Sequence, residues 1–309
     1  MTDHELESIA PDGDTVLVIG AAKHKYLVSS KRLSEASSVF AALFSPHFRE
    51  GQRHRSASEP VEIDLPDDDW RSMRRIFNML HASPSREQGC TWWSGELLDL
   101  AISADKYDLV DAMRFGVSAI FSEWFQDRST CPSIHVLGQM IAAAYLLEDE
   151  NAFRLGTTQV VRLSTDSMTD LYGEKCCDIL PPFVLVTLEE QRARARSTLM
   201  HDVVELERTR KCWSCVNVYP DTYKYPFQEK LCRELGVRFW PPPPNTPLET
   251  ILSKIGELQS RGHSIGCGHT WANDLVAALL GRANYMTHGL CLSCVYEEKF
   301  RDAATCAGH

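Results

Sequence analysis

The spacing of apolar and polar positions changes character several times along the chain, and each change predicts an element. Residues Asp14 to Gly20 (DTVLVIG) form a β-branched apolar run. A second extended run, Tyr26 to Val28, follows the turn residues Gly20 to Lys25, so a strand pair is expected. From Ser30 onward Leu33, Val39, Phe40, Leu43 and Phe44 fall on helical spacings broken by Ser34, Ser37 and Ser38, which predicts two short helices rather than one. Val61, Ile63 and Leu65 then alternate with Glu62 and Asp64, the period of a half-buried strand. Pro66 and three aspartates end that strand and cap a helix opened by Trp70, with Met73, Ile76, Phe77 and Leu80 on one face. A Ser/Pro/Gly loop from Ser83 to Gly95 precedes a helix carrying Leu97, Leu100, Ala101 and Ala104. Tyr107 to Asp111 reads as a junction, and Ala112 to Phe125 as a further helix.

Cys131-Pro132 marks a boundary, after which the pattern turns helical. Leu137, Ile141, Ala144 and Tyr145 share one stripe, and Val184, Leu188, Ala195, Leu199, Val203 and Leu206 share another. Trp240 and the four prolines Pro241 to Pro244 make a stiff connector, because each proline fixes φ and lacks a donor. Thr246-Pro247-Leu248-Glu249 restarts a helix as a capping box with proline at its first position. An apolar helix from Trp271 to Leu280 and a turn from Gly281 to Gly289 follow. The expected organisation is a disordered N-terminus over 1–12, a first domain over 13–127, a helical region over 131–240 and a proline-linked helical segment over 241–309. The fold class is α+β: a small β-sheet flanked by helices, then a mainly α-helical C-terminal region.

Composition narrows the function classes. The 309 residues, 44% hydrophobic and 24% charged, suit packed globular domains. A net charge of -10 argues against a surface built to coat nucleic acid. The basic residues Arg192, Arg194, Arg196, Arg208, Arg210 and Lys211 are interleaved with Glu189, Glu190, Asp202, Glu205 and Glu207, as on a solvated helix face. No apolar run reaches the length of a membrane span, and the start MTDHELESIA is acidic where a secretory signal would be basic and then apolar. An intracellular protein, in cytoplasm or nucleus, is expected. Its eleven cysteines are then reduced thiols or metal ligands.

Three kinds of candidate chemistry stand out. Gly262-His263-Ser264-Ile265-Gly266 matches the G-x-S-x-G nucleophile elbow, but a helix precedes it where that motif needs a buried strand. Walker and dinucleotide fingerprints are absent. The pairs Cys212/Cys215, Cys267/His269 and Cys291/Cys294 have chelating spacing, and two such pairs complete the tetrahedral shell zinc prefers. Cys267, His269, Cys291 and Cys294 form the preferred set, since they enclose the shorter loop, and Cys212 with Cys215 the alternative pair. Four protein ligands leave no open position, so the zinc is expected to be structural. The loop Gly51 to Pro60 carries Arg53, His54, Arg55, Ser56 and Ser58, the make-up of a substrate loop for a basic-directed kinase, and is read first as an exposed insertion.

DTVLVIG, KYLVSSKRL, SSVFAALF, HFREG, VEIDLPDDD and ISADKYDL, in this order and spacing, resemble a BTB/POZ domain of the kind common in filamentous fungi. The resemblance covers about the first 125 residues, and Ala104-Asp105-Lys106-Tyr107-Asp108 is its most specific element. One departure is that Ser29 and Ser30 follow Val28 where the family has a histidine. The resemblance implies a non-catalytic protein-protein interaction protein that self-associates or pairs through this domain. Some members bridge a cullin ubiquitin ligase to a substrate protein, and others oligomerise scaffolds. It also implies a contact surface over about Trp70 to Gly95 and Ser133 to Leu147, where the adjacent Trp92 and Trp93 are candidate anchors. Fungal members often end in a similar GLC-x-x-C segment, which supports zinc. The competing reading is a metal- or thiol-dependent enzyme, for which Cys267 and His269 are the adjacent pair.

Overall fold

A computed structural model describes residues 5–48, 51–82, 92–126, 132–209, 227–260 and 271–297. The chain divides into two compact units, Met1–Arg128 with Gln139–Ala152 and Ser129–Gly138 with Phe153–His309. It is mixed in class, with one small sheet in the first unit and helices elsewhere.

The sheet has four strands, β1 (Glu7–Ser8), β2 (Thr15–Ile19), β3 (His24–Val28) and β4 (Val61–Leu65), in the order β1-β3-β2-β4. β2 and β3 form the antiparallel hairpin expected from their sequence, with Leu17 opposite Tyr26. β4 joins β2 in parallel, Ile63 beside Leu17, and β1 joins β3 in parallel. Every residue of β2 is buried, as suits a central strand written as an unbroken apolar run. At the hairpin turn Gly20 takes φ +71, the left-handed region that costs glycine least.

Two short helices follow, α1 (Ser30–Ala36) and α2 (Ser38–Leu43). They are separate because Ser37 ends one and starts the other: its amide donates to Leu33 O, while its hydroxyl accepts from the Phe40 amide at 2.9 Å. Asp14 fastens β2 to α1 by accepting from the Ser30 amide at 2.8 Å and the Ser30 hydroxyl at 2.6 Å. Burial alone would raise the Asp14 carboxyl, but the Ser30 donors outweigh it and leave the group below the usual carboxylate range. Helix α3 (Trp70–Leu80) is capped by Asp69, whose Oδ2 accepts from the Ser72 amide at 2.8 Å. Leu17, Leu33, Phe40, Met73, Ile76 and Phe77 make the centre of this core. Helices α4 (Ser94–Lys106) and α5 (Val110–Gln126) complete the helical layer.

The N-terminal segment corrects an expectation. Residues 1–4 lie outside the described residues, but from Glu5 the chain is part of the fold rather than disordered. Ile9 and Ala10 are buried, their amides both donate to Leu27 O, and Arg74 pairs with Glu7 at 2.8 Å. A two-residue strand has no alternation to read, so this pairing had no local signal.

Among the described residues the remaining helices are α6 (Ile134–Leu146), α7 (Glu150–Leu163), α8 (Lys175–Ile179), α9 (Pro182–Thr209), α10 (Phe227–Glu234), α11 (Leu248–Ser260), α12 (Trp271–Met286) and α13 (Leu292–Tyr296), with one 3₁₀ turn at Met168–Leu171. The stripe Val184, Leu188, Ala195, Leu199, Val203 and Leu206 is buried along α9, and Val276, Leu279 and Ala283 are buried on α12, which packs on α9. Arg196 of α9 collects the carbonyls of Pro242, Pro243 and Thr246 at 2.6 to 3.1 Å. The segment 241–309 therefore does not stand apart from 131–240: the arginine and α12 bind it into one unit with α9. Helix α12 also runs past Gly281 to Met286, where a turn was expected. Gly281 faces open space, and burial of Leu279 and Ala283 offsets the roughly 1 kcal/mol that a helical glycine costs. Among the described residues no helix is long and apolar enough to cross a membrane.

Candidate functional site

The ADKYD run joins three parts of the first unit through polar contacts. Helix α4 ends there in a Schellman turn: the Leu109 amide donates to Ala104 O at 2.9 Å and the Asp108 amide to Asp105 O at 3.1 Å. Asp108 occupies the left-handed position at φ +51, which aspartate tolerates better than most residues. Ala104 and Leu109 are fully buried beneath the turn. Lys106 Nζ and the Tyr107 hydroxyl each donate to one oxygen of Asp68, both at 2.6 Å. The Tyr107 ring stacks on Phe40 with centroids 4.6 Å apart, Ser37 donates to its carbonyl, and Ser38 donates to the Asp108 carboxylate. Burial, then Asp68, pushes the Tyr107 phenol far up, so it stays a donor at any ordinary pH. These residues hold α4, α2 and the β4–α3 corner in one arrangement.

At the other end of α4 lie the two tryptophans, which the structure separates in role. Trp92 is half-buried, with the Arg75 guanidinium 4.3 Å from its ring centroid and Arg75 in turn paired with Glu96 at 3.0 Å. Trp93 precedes the first residue of α4 and is 75% exposed. Ser94 fixes the start of that helix by donating to Gln139 at 2.6 Å. The anchor expected of both residues is thus available from Trp93, while Trp92 packs against α3.

Two exposed aromatics of the first unit were missed by the sequence reading. Phe115 is 90% exposed on α5, and Phe48 is half-exposed after α2. The signal for Phe115 is in the periodicity. Met113, Val117, Phe121 and Phe125 form the buried stripe at four-residue steps, and Phe115 falls midway between the first two, on the opposite side of the helix.

Of the metal candidates, Cys212, Cys215, Cys267 and His269 lie outside the described residues. Cys291 and Cys294 lie within them: Cys291 is the buried N-cap of α13, and Cys294 is partly exposed on its first turn. Their segment is docked on α7, where the Leu290 amide donates to Thr157 Oγ1 at 2.9 Å and a Cβ on Gly289 would fall 1.9 Å from Arg154 O. Among the described residues no group of three or more His, Cys, Asp or Glu side chains is gathered as a metal shell would need. The helix ends bear on which pairs can meet. Gln191 Nε2 donates to Met286 O at 3.2 Å and to His288 O, while Asp202, farther along α9, pairs with Arg282 at 3.1 Å. The helices are therefore antiparallel. The end of α9 at Thr209 and the start of α12 at Trp271 point the same way, and the 16 residues of α12 put about 24 Å between that end and the Met286 end near Cys291.

A vicinal thiol pair was also missed. Cys176 and Cys177 open α8, with Cys177 Sγ donating to Leu171 O at 2.9 Å. Burial pushes the Cys176 thiol up to about 12 and raises Cys177 as well, the opposite of what a nucleophilic thiolate requires.

No model of a known protein family matches the sequence, and no curated protein matches it.

Proposed function

We propose that this chain is a non-catalytic interaction protein. Its first unit acts as a BTB/POZ-type docking module, and its helical second unit is the part that carries or recognises a second protein. The supporting observation is Trp93: a large aromatic held out of the core at the start of a helix whose other end is pinned through Tyr107 and Asp68. Burying such a ring at an interface contributes a disproportionate share of binding energy, whereas leaving it in water contributes nothing to the fold. A cullin is the partner class implied by the sequence resemblance, and a second copy of the chain is the other.

Structural zinc in the second unit belongs to the same proposal, with its ligand set revised. Thr209 is the last described residue before Cys212 and Cys215, and Trp271 the first after Cys267 and His269, so these two are the anchor points for the candidate ligands. The antiparallel helices turn those two anchor points toward the same end of the unit, so Cys212, Cys215, Cys267 and His269 make the favoured set. Zinc held this way would supply folding energy rather than chemistry.

The experiment is affinity purification of the whole chain and of a Trp93→Ser variant, followed by mass spectrometry. Loss of one co-purifying protein, with thermal stability unchanged, supports the reading. An identical set of partners from both proteins overturns Trp93 as the anchor.

A further inference from the structure

The loop between α2 and β4 takes no part in that proposal, yet its residues are arranged for a specific chemistry. Arg53-His54-Arg55-Ser56-Ala57-Ser58 places two arginines two positions apart and a serine three positions after the second. In an extended peptide, side chains two apart project from the same face, so one acidic groove can pair with both guanidinium groups at once. Arginine suits such a groove because its planar fork binds a carboxylate through two parallel bonds.

The structure distinguishes the two serines. Ser56 is half-buried, and its oxygen accepts from the Glu59 amide at 3.1 Å. Ser58 is exposed, and its hydroxyl meets only the Ser56 hydroxyl, at 3.0 Å, among the bonds of this loop. Of the two loop serines, Ser58 alone has arginine both three and five positions before it, since Gly51 occupies the earlier position relative to Ser56; Ser197 has the same spacing from Arg192 and Arg194, but it lies within the helix α9 and not in a loop that can extend. Arg53 is exposed and donates to Glu62 O at 3.3 Å, a neutral acceptor. Arg55 lies over the Phe44 ring at 5.0 Å and donates to Phe44 O at 3.2 Å. The loop's own pairing is the single bridge Ser56 to Glu59, so extending it in a kinase cleft disturbs no regular strand or helix.

We propose that Ser58 is a phosphorylation site for an arginine-directed serine kinase. In the transfer, Ser58 Oγ bonds to the γ-phosphorus of ATP as the bond from that phosphorus to the β-phosphate oxygen breaks. ADP leaves, and the hydroxyl proton passes to the kinase's catalytic base. The product is a near-dianion beside two arginines, and a phosphate is a stronger acceptor than the Glu62 carbonyl. Arg53 is therefore drawn from Glu62 to the phosphate, which uncovers the outward carbonyl of β4.

The test uses the full chain, ATP and a purified serine kinase that requires arginine at both preceding positions, with a synthetic peptide of residues 51–60 as a check on the kinase. Phosphopeptide mass spectrometry should place about one phosphate per chain on Ser58, absent in Ser58→Ala. The initial rate should fall about tenfold or more in Arg53→Ala and less in Arg53→Lys, which keeps the charge without the fork. Labelling that persists in Ser58→Ala, labelling of Ser56, an equal rate in Arg53→Ala, or a folded chain that stays unlabelled would each overturn the proposal.

Discussion

The Ser29 amide donates to Nε2 of His81 across 3.1 Å, and this one bond fixes the tautomer of a buried imidazole. With Nε2 accepting, the ring proton sits on Nδ1 and is donated to Phe77 O at 2.8 Å. Both nitrogens are satisfied only while the ring is neutral. Burial, reinforced by Arg32, holds the His81 pKa below its usual 6.5, against the opposing pulls of the Phe77 carbonyl and Asp12.

Stability should consequently depend on pH through His81. The unfolded chain takes up a proton near pH 6.5 while the folded chain resists, so stability is complete above that pH and declines as pH falls toward the depressed folded value. Urea midpoints measured from about pH 7.5 down to about pH 5.5 should be flat and then drop. His81→Gln should flatten the drop. Asp14 acts only in more acid solution: its stabilisation is present above about 3.8 and is lost as pH falls through its lowered folded value.

Tyr107→Phe removes one donor from Asp68, whose side chain is 5% exposed. A hydrogen bond to a charged group is worth about 1.5 to 3 kcal/mol, and the destabilisation should fall in that range. Equilibrium denaturation with an unchanged urea slope is the check. A loss under about 0.5 kcal/mol would show that the Asp68 contact does not hold the corner.

The two tryptophans should respond oppositely. Trp92→Ala is expected to lower stability by about 1 kcal/mol through the loss of the Arg75 contact and its packing. Trp93→Ala should leave the melting temperature within about 1 °C while weakening partner capture. Equal effects of the two substitutions on stability would contradict the division of roles.

Elemental analysis of the purified chain should find about one zinc per molecule. Cys212→Ser and His269→Ala should each strip it, and binding should weaken as pH falls, because the thiolates must be deprotonated. Cys291→Ser should retain the metal. Zinc that is lost in Cys291→Ser and kept in Cys212→Ser would restore the set favoured by sequence spacing.

What the sequence revealed follows the range of the forces involved. The hairpin, the Ser37 break between α1 and α2 and the Asp69 cap are local, and residue types within four positions announce them. β1 was hidden because Glu7 and Ser8 pair with Tyr26 and Leu27, and Glu7 with Arg74, all far away in the chain. The extension of α12 past Gly281 was hidden because its driving force is the buried face of α9. The division between Trp92 and Trp93 depends on Arg75, which no spacing rule relates to them.

The strand order β1-β3-β2-β4 also dictates an order of assembly. The central hairpin closes a turn of a few residues, an event of microseconds. β4 can add to β2 only after the chain carrying α1 and α2 has folded back across more than thirty residues, and that closure costs entropy before any pairing repays it. β1 has nothing to pair with until β3 exists. The hairpin is thus the template of the first unit, and the rate at which β4 finds it sets how long the apolar face of β2 stays open to wrong partners.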